Sequence, residues 1–323
     1  MASLREIKDR IGSVRSTLKI TSAMKLVASA KLRKAQRAIE GMRPYERTLA
    51  EILDAVGSAR PVLSAPSSPE NVAAAKTGPT AIVAIASNSS LCGAFNANVV
   101  RKALETIRDC EGEVEVYPLG RKMAEALRRA GYTSAEDYND WVGHPSYEKS
   151  ASLARSLAER YRTGGLSRVI LVYNRFVSTS TQTPTVEQYL PFGGIPDQVG
   201  DDKGVKVGDD KGIKDGDDKG VKDGDDRSRH SRLDRESPST DDYILEPDAQ
   251  ALVDQLLPQV MMLKFHAAIL DSVAAEQAAR TIAMQTASDN AEDLLGELTL
   301  EYNKGRQQKI TAEILDLLGG AAS

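Results

Sequence analysis

Two cysteines and three histidines are the whole supply of thiol and imidazole in 323 residues, and their placement does not assemble a reaction centre. Cys92 precedes a glycine at a predicted helix start, where a thiolate would be favoured, but a small buried side chain accounts for it as well. Nothing near Cys92 or Cys110 has a zinc-ligand spacing, and two thiols cannot make a disulfide framework. His144, His230 and His266 fall in a predicted loop, a charged tail and a long helix, without the partners a catalytic set requires. Neither G-x-G-x-x-G nor G-x-x-x-x-G-K-[ST] occurs, so no backbone cradle for phosphate is encoded. The turn after the first predicted strand, Ser87–Ala94, holds one glycine where a dinucleotide site needs three. Asp pairs downstream of Gly200 have the look of calcium ligands, yet lysines interleave them and the closing acidic ligand of a calcium loop is missing. No cofactor and no metal are expected.

Charge is the more informative chemistry. The formal charge is −4, and Gly200–Asp226, with ten Asp and six Lys, carries −4 by itself. The rest is neutral in total but uneven. Met1–Arg47 holds twelve basic and four acidic residues, a block of +8, and the remainder balances it. Lys31, Arg33, Lys34 and Arg37 cluster there, as in a nucleic-acid-binding helix. They alternate with alanines and lack the basic-region-then-zipper layout, so no nucleic-acid partner is expected. Met1–Arg10 lacks the apolar core of a secretory signal, and no run reaches the roughly 18 apolar residues of a membrane span. A soluble cytosolic chain is the expectation.

The elements that must position these residues read clearly. Leu4, Ile7, Ile11, Val14, Leu18 and Thr21 alternate spacings of three and four, the mark of a helix with one buried seam. Alanines from Ala23 to Ala38 continue it. Arg43-Pro44 predicts an interruption, with helix resuming over Tyr45–Val56. Pro, Ser, Ala and Gly then dominate from Ser58 to Pro79, a connector. Thr80–Ala86 is a short apolar run of the kind buried on both faces of a parallel sheet. Helix is predicted over Ala94–Arg108, strand over Val114–Leu119, and helix over Arg121–Ala130 and Lys149–Arg162. Arg168–Tyr173 reads as a second buried strand and Thr185–Leu190 as one at or near an edge. Such alternation indicates an α/β layer fold.

Residues 200–226 repeat an octad, GDDKGVKV and its variants, with too little apolar surface to offset ordering; a disordered insertion is expected. After Glu246-Pro247 a second long helix begins. Leu252, Leu256, Val260, Leu263, Ala267, Leu270, Ala274, Gln277, Thr281, Met284, Ser288, Ala291, Leu295 and Leu298 form its stripe, resumed by Ile310, Ile314 and Leu317. Pro258 lies early enough to kink it without ending it. Two seam-bearing terminal helices imply each other as partners. The fold class is therefore α/β: a Rossmann-like α/β domain inserted between long N- and C-terminal helices that form an antiparallel coiled coil. The divisions are 1–57 helix, 58–79 linker, 80–246 α/β domain with insertion 197–242, and 247–323 helix.

Several stretches resemble one family, the gamma subunit of the rotary F-type ATP synthase. Ile20-Thr-Ser-Ala-Met24-Lys-Leu-Val-Ala-Ser-Ala-Lys31 is similar to its first helix. Leu91-Cys-Gly-Ala-Phe-Asn-Ala-Asn98 and Gln182-Thr-Pro-Thr-Val-Glu-Gln188 are similar to its central markers. Glu276-Gln-Ala-Ala-Arg280, Tyr302-Asn-Lys, Arg306-Gln and the run Ile310–Ser323 are similar to its C-terminal signature. The matches occur in family order along nearly the whole chain. Asn88-Ser89-Ser90 departs from it, standing where the family has Asp-Arg-Gly, and the octad repeat is extra. The insertion lacks the cysteine pair of plant-type relatives, so their redox gating is not expected.

The resemblance implies a non-catalytic rotor shaft that couples proton-driven rotation of a membrane ring to conformational cycling of catalytic subunits. Implied partners are the alpha and beta subunits of the catalytic head, the epsilon subunit and the ring of c subunits. The implied place is the cytoplasmic face of the bacterial inner membrane. Met24 and Lys25 fall where an acidic loop of the catalytic subunits faces the shaft, and Arg306, Gln307 and Thr311 at positions that engage a second loop by charge-assisted hydrogen bonds. Small Ala and Ser faces and an aromatic content of only 5% suit a surface that must not stick at one angle.

Overall fold

A computed structural model describes residues 3–55, 78–134, 136–191 and 249–320. The connector up to residue 77, the octad repeat with its flanks, His230 and residues 321–323 lie outside the described residues. Two long helices, α1 (Leu4–Ala55) and α5 (Ala249–Gly320), bracket an α/β body. The body contains β1 (Thr80–Ile85), α2 (Phe95–Asp109), β2 (Val114–Leu119), α3 (Arg121–Arg129), α4 (Tyr147–Arg162), β3 (Arg168–Phe176) and β4 (Gln182–Leu190). Strand order is β2-β1-β3-β4, with β1 parallel to both β2 and β3 and β4 antiparallel at the edge.

β1 is buried on both faces, as its unbroken apolar run requires. Ala81, Val83 and Ile85 point to a layer of α4 and α5, where Leu153, Leu157, Met261 and Phe265 meet them. Ile82, Ala84 and Ala86 point the other way, to Val99, Ala103, Met123 and Leu127 of α2 and α3. The sheet thus lies between two helical layers, one of which includes α5.

α1 and α5 pack antiparallel along the length of α1. Leu4 sits beside Gly305, the Thr21 and Ser288 hydroxyls meet at 2.8 Å, and Leu32, Ala35 and Ile39 pack on Leu270, Ala274 and Ala278. Leu49 closes on Val260 and Leu263. None of the predicted seam residues from Leu4 to Thr21 is exposed, nor is any from Leu252 to Leu298. A capping box starts α1: Ser3 N–H donates to Glu6 Oε2 at 2.9 Å and Glu6 N–H to Ser3 Oγ at 3.2 Å.

Two expectations need correction. α1 does not break at Arg43-Pro44 but runs through Pro44; the lost hydrogen bond is offset by Met42 and Leu49 packing against α5 on either side. The resumed stripe is exposed at Ile310 and Ile314, because α1 begins opposite Gly305 and α5 projects beyond it with no partner among the described residues; the Leu317 side chain lies outside them. One 18-residue stretch within Asp254–Leu315 reaches a mean hydropathy of 1.2, enough by length and composition to cross a membrane. In this fold that apolar surface is divided between α1 and the sheet, which is why α5 is buried nearly all round from Val260 to Arg280.

Candidate functional site

In a doubly wound sheet, ligands bind where connections leave neighbouring parallel strands in opposite directions, outside the strands' carboxyl ends. Here that place lies beyond β1 and β3, and α5 fills it. Cys92 and Phe95, from the loop after β1 and the start of α2, pack against Ala275, Ala279 and Phe176. Arg280 reaches the same loop, donating to Ser89 Oγ at 2.8 Å and to the Ser90 carbonyl at 3.4 Å. Its other arm pairs with Glu276 at 2.6 Å. Both charges are buried, and burial pushes the Glu276 carboxyl above the usual carboxylate range despite the attraction of Arg280 and Lys31. The crevice that would receive a phosphate in a nucleotide-binding relative of this architecture holds the chain's own guanidinium.

The Ser87–Ser90 loop is fixed from its other side too. Arg121 N–H donates to Asn88 Oδ1 at 3.0 Å and its guanidinium to the Asn88 carbonyl at 2.8 Å. Cys92 is buried, and desolvation raises its thiol pKa, so a reactive thiolate is disfavoured. Among the described residues no group of three His, Cys, Asp or Glu could hold a metal ion.

Other polar ties join α5 to the body. Lys264 Nζ lies 2.8 Å from Glu187 Oε1 of β4, and Tyr189 donates to the Met261 carbonyl at 2.9 Å. Ser150 Oγ is 2.8 Å from the Ser146 carbonyl and 2.9 Å from His266 Nδ1. One hydroxyl proton serves the carbonyl, which leaves Nδ1–H to donate to Ser150. Burial lowers the His266 pKa, so the ring is neutral near pH 7 and acts as a packing residue. His144 is exposed.

The residues singled out for partner contact lie on the helical pair in two separate groups. Met24 and Lys25 are half-buried midway along α1, and the Lys25 ammonium donates to Gln285 Oε1 across the seam. Around them the surface is not uniformly small as expected: Ile20, Leu26 and Val27 are exposed, Leu26 to 69%. Arg306, Gln307 and Thr311 are exposed on the projecting end of α5, where the Thr311 hydroxyl donates to the Gln307 carbonyl at 2.9 Å. Some twenty residues of α5 separate Gln285 from Arg306, roughly 30 Å at 1.5 Å per residue. Lys31, Arg33, Lys34 and Arg37 all face outward on α1, so the basic block is a surface feature.

A family model described as ATP synthase matches residues 3–323, and the ATP synthase gamma chain of Phocaeicola vulgatus is 41% identical, with 99% of each chain aligned. The chain belongs to the ATP synthase gamma-chain family. The gamma chain of Bacteroides fragilis is 43% identical, again over 99% of each. In fold, the chain is similar to one from the Euglena gracilis mitochondrial ATP synthase, solved as an OSCP/F1/c-ring assembly, with a TM-score of 0.58 and 19% identity over 99% of this chain and 93% of that one.

For a gamma-family chain, the Glu276–Arg280 motif gains a structural meaning that its sequence did not supply. An i, i+4 acidic–basic pair inside a stretch of Ala, Ser and Gln was the available signal, but nothing marked Ser89 as its acceptor. Lys264 with Glu187, and Ser150 with His266, were likewise not legible.

Proposed function

We propose that this chain is the central rotor shaft of an ATP synthase, coupling proton-driven rotation of a membrane ring to conformational cycling of the catalytic subunits in ATP synthesis and, reversibly, hydrolysis. Membership of the gamma-chain family over the full length carries the reading. The architecture supports it: one end of a long helical pair bears an α/β body, and at the other, among the described residues, α5 projects alone. In this reading α1 and α5 form an antiparallel coiled coil, and the chain divides into helix 1–57, linker 58–79, α/β domain 80–246 with insertion 197–242, and helix 247–323.

The shaft does no covalent chemistry. It changes the relative stability of conformations in its neighbours, so its work is a coupling free energy. Its partners are the alpha and beta subunits of the head, the epsilon subunit and the c ring, on which the α/β domain sits. It is a peripheral component at the cytoplasmic face of the bacterial inner membrane. Met24 and Lys25 meet one loop of the catalytic subunits; Gln285 takes one of the three donors of Lys25, and the others stay available. Arg306, Gln307 and Thr311 engage another loop at the projecting tip.

The direct test is purification by a tag on this chain. A single copy is expected with several copies of two larger nucleotide-binding subunits; recovery as an isolated chain that binds ATP in calorimetry would overturn the reading. For the tip, hydrogen bonds to charged groups contribute about 1.5–3 kcal/mol. Arg306→Ala is therefore expected to lower coupled ATP synthesis by the assembled complex while leaving the melting of the chain unchanged, since Arg306 is exposed. Unchanged coupled synthesis would remove Arg306 from the contact.

A further inference from the structure

If the chain turns as a shaft, rotation delivered to the α/β body must cross into the helices. The body meets the helical pair mainly through α5. Among the described residues, α1 approaches it at Phe176, beside the Leu32–Ile39 cluster, and at Ile52. Apolar burial of Leu257, Met261, Phe265 and Ile269 seats the body on α5. Such burial is non-directional; it holds the parts together more firmly than it fixes the angle between them.

Directional contacts set that angle: Tyr189 to the Met261 carbonyl and His266 to Ser150 cluster with Lys264–Glu187 on one stretch of α5, and a second grip stands far from them. Lys264 grips Glu187 of the edge strand β4 at 2.8 Å, the side chains 13% and 16% exposed. Arg280 grips Ser89, in the loop after β1, at 2.8 Å. The two lie sixteen positions apart on α5, roughly 24 Å at 1.5 Å per residue. A single grip is a pivot, whereas two at that separation resist twist. The Lys264 and Glu187 charges are largely withdrawn from water, so salt screens them little; Arg280 is buried too, although its acceptor Ser89 lies at the surface.

Resting on the shaft reading, we infer that Lys264–Glu187 and Arg280–Ser89 are the contacts that carry rotation from the α/β body into α5, and that α1 receives it second-hand across the α1–α5 seam. These are positioning residues.

The test uses the assembled complex in sealed vesicles, with ATP hydrolysis and ATP-driven proton uptake measured on one preparation. Hydrolysis requires the helices to turn within the head; uptake requires that turning to reach the ring through the α/β body. In Lys264→Met combined with Ser89→Ala, uptake per ATP hydrolysed is expected to fall several-fold. Lys264→Glu alone should show the same loss, and adding Glu187→Lys, which restores the pair with signs exchanged, should recover most of it. An unchanged ratio, a failure of the exchanged pair to recover it, or a proportional loss of both activities would overturn the assignment, the last in favour of a purely structural role. Absence of uptake by the unmodified complex would count against the shaft reading itself.

Discussion

Arg280→Leu is expected to destabilise the chain by about 3–5 kcal/mol, the usual cost of removing one partner from a buried ion pair. Glu276 has a side chain only 7% exposed and lies 2.6 Å from Arg280, so the substitution strands a carboxylate away from water. It also frees the Ser89–Ser90 loop, which accepts two of the hydrogen bonds of Arg280. The loss must depend on pH in a definite sense. Burial already raises the Glu276 pKa against the opposing pull of Arg280, and without Arg280 it rises further. A carboxyl whose folded pKa exceeds its unfolded value favours the folded state while protonated, and that contribution is lost as pH rises through the folded pKa. Urea denaturation should therefore show the full loss at about pH 8 and a smaller one at about pH 5, where protonation removes the stranded charge. Pairing Arg280→Leu with Glu276→Leu should recover much of the stability, because no lone charge remains. Equal losses at both pH values would refute the buried-carboxylate account.

That pair marks the boundary of what the sequence discloses. Periodicity reports which face of an element is covered, and it did so well: the three-and-four spacing from Leu4 to Thr21 and from Leu252 to Leu298 names residues that are all shielded in the fold. The unbroken run of β1 and the alternation before Leu190 placed a central strand and an edge strand correctly. What a stripe cannot say is whether a partner reaches that far. Ile310 and Ile314 continue the spacing but lie past the start of α1 and stay exposed. Nor can local rules weigh tertiary packing against a helix breaker, which is why Pro44 sits inside a continuous helix where they predict a break. Polar contacts across long sequence separation are the least legible. Arg280 and Ser89 stand 191 residues apart, and nothing local to Ser89 marks its hydroxyl as the acceptor for a buried guanidinium.

The residues proposed for partner contact differ again in kind. Met24, Lys25, Arg306, Gln307 and Thr311 came from resemblance, since exposed helix positions carry no packing signal of their own. They lie in two separate bands, Met24 and Lys25 half-buried on α1 and Arg306, Gln307 and Thr311 exposed on the end of α5. Large exposed apolar residues, Ile20, Leu26 and Val27, stand beside the first band. The alanines Ala28 and Ala35 are spent on the seam with α5, where they permit close approach of the two helices.

Gly120→Ala is expected to destabilise the chain by an amount comparable to the loss of Arg280, through a different cause. Gly120 joins β2 to α3 with φ +96°, and a Cβ there would lie 2.1 Å from the Ala86 carbonyl oxygen. Backbone strain of this kind costs about 1–3 kcal/mol, and forcing atoms into packed space costs about 1–3 kcal/mol more. The obstacle is main chain at the end of β1, which cannot swing aside: Ala86 N–H is bonded to the Leu119 carbonyl at 2.9 Å. Gly131, at φ +92°, supplies the control. Nothing lies within 4 Å of a Cβ placed there, so Gly131→Ala should incur the strain alone, and the difference between the two melting shifts isolates the clash. The displaced segment is also the one that Arg280 holds, since Lys122 N–H bonds the Ser87 carbonyl at 3.0 Å and Arg121 bonds Asn88. Once Gly120→Ala has moved this loop, Arg280 has less left to grip. The double variant Gly120→Ala with Arg280→Leu should therefore lose less stability than the two single losses added together, whereas Gly131→Ala with Arg280→Leu should be additive. Additivity in both pairs would mean that the loop after β1 is not the common seat of the two effects.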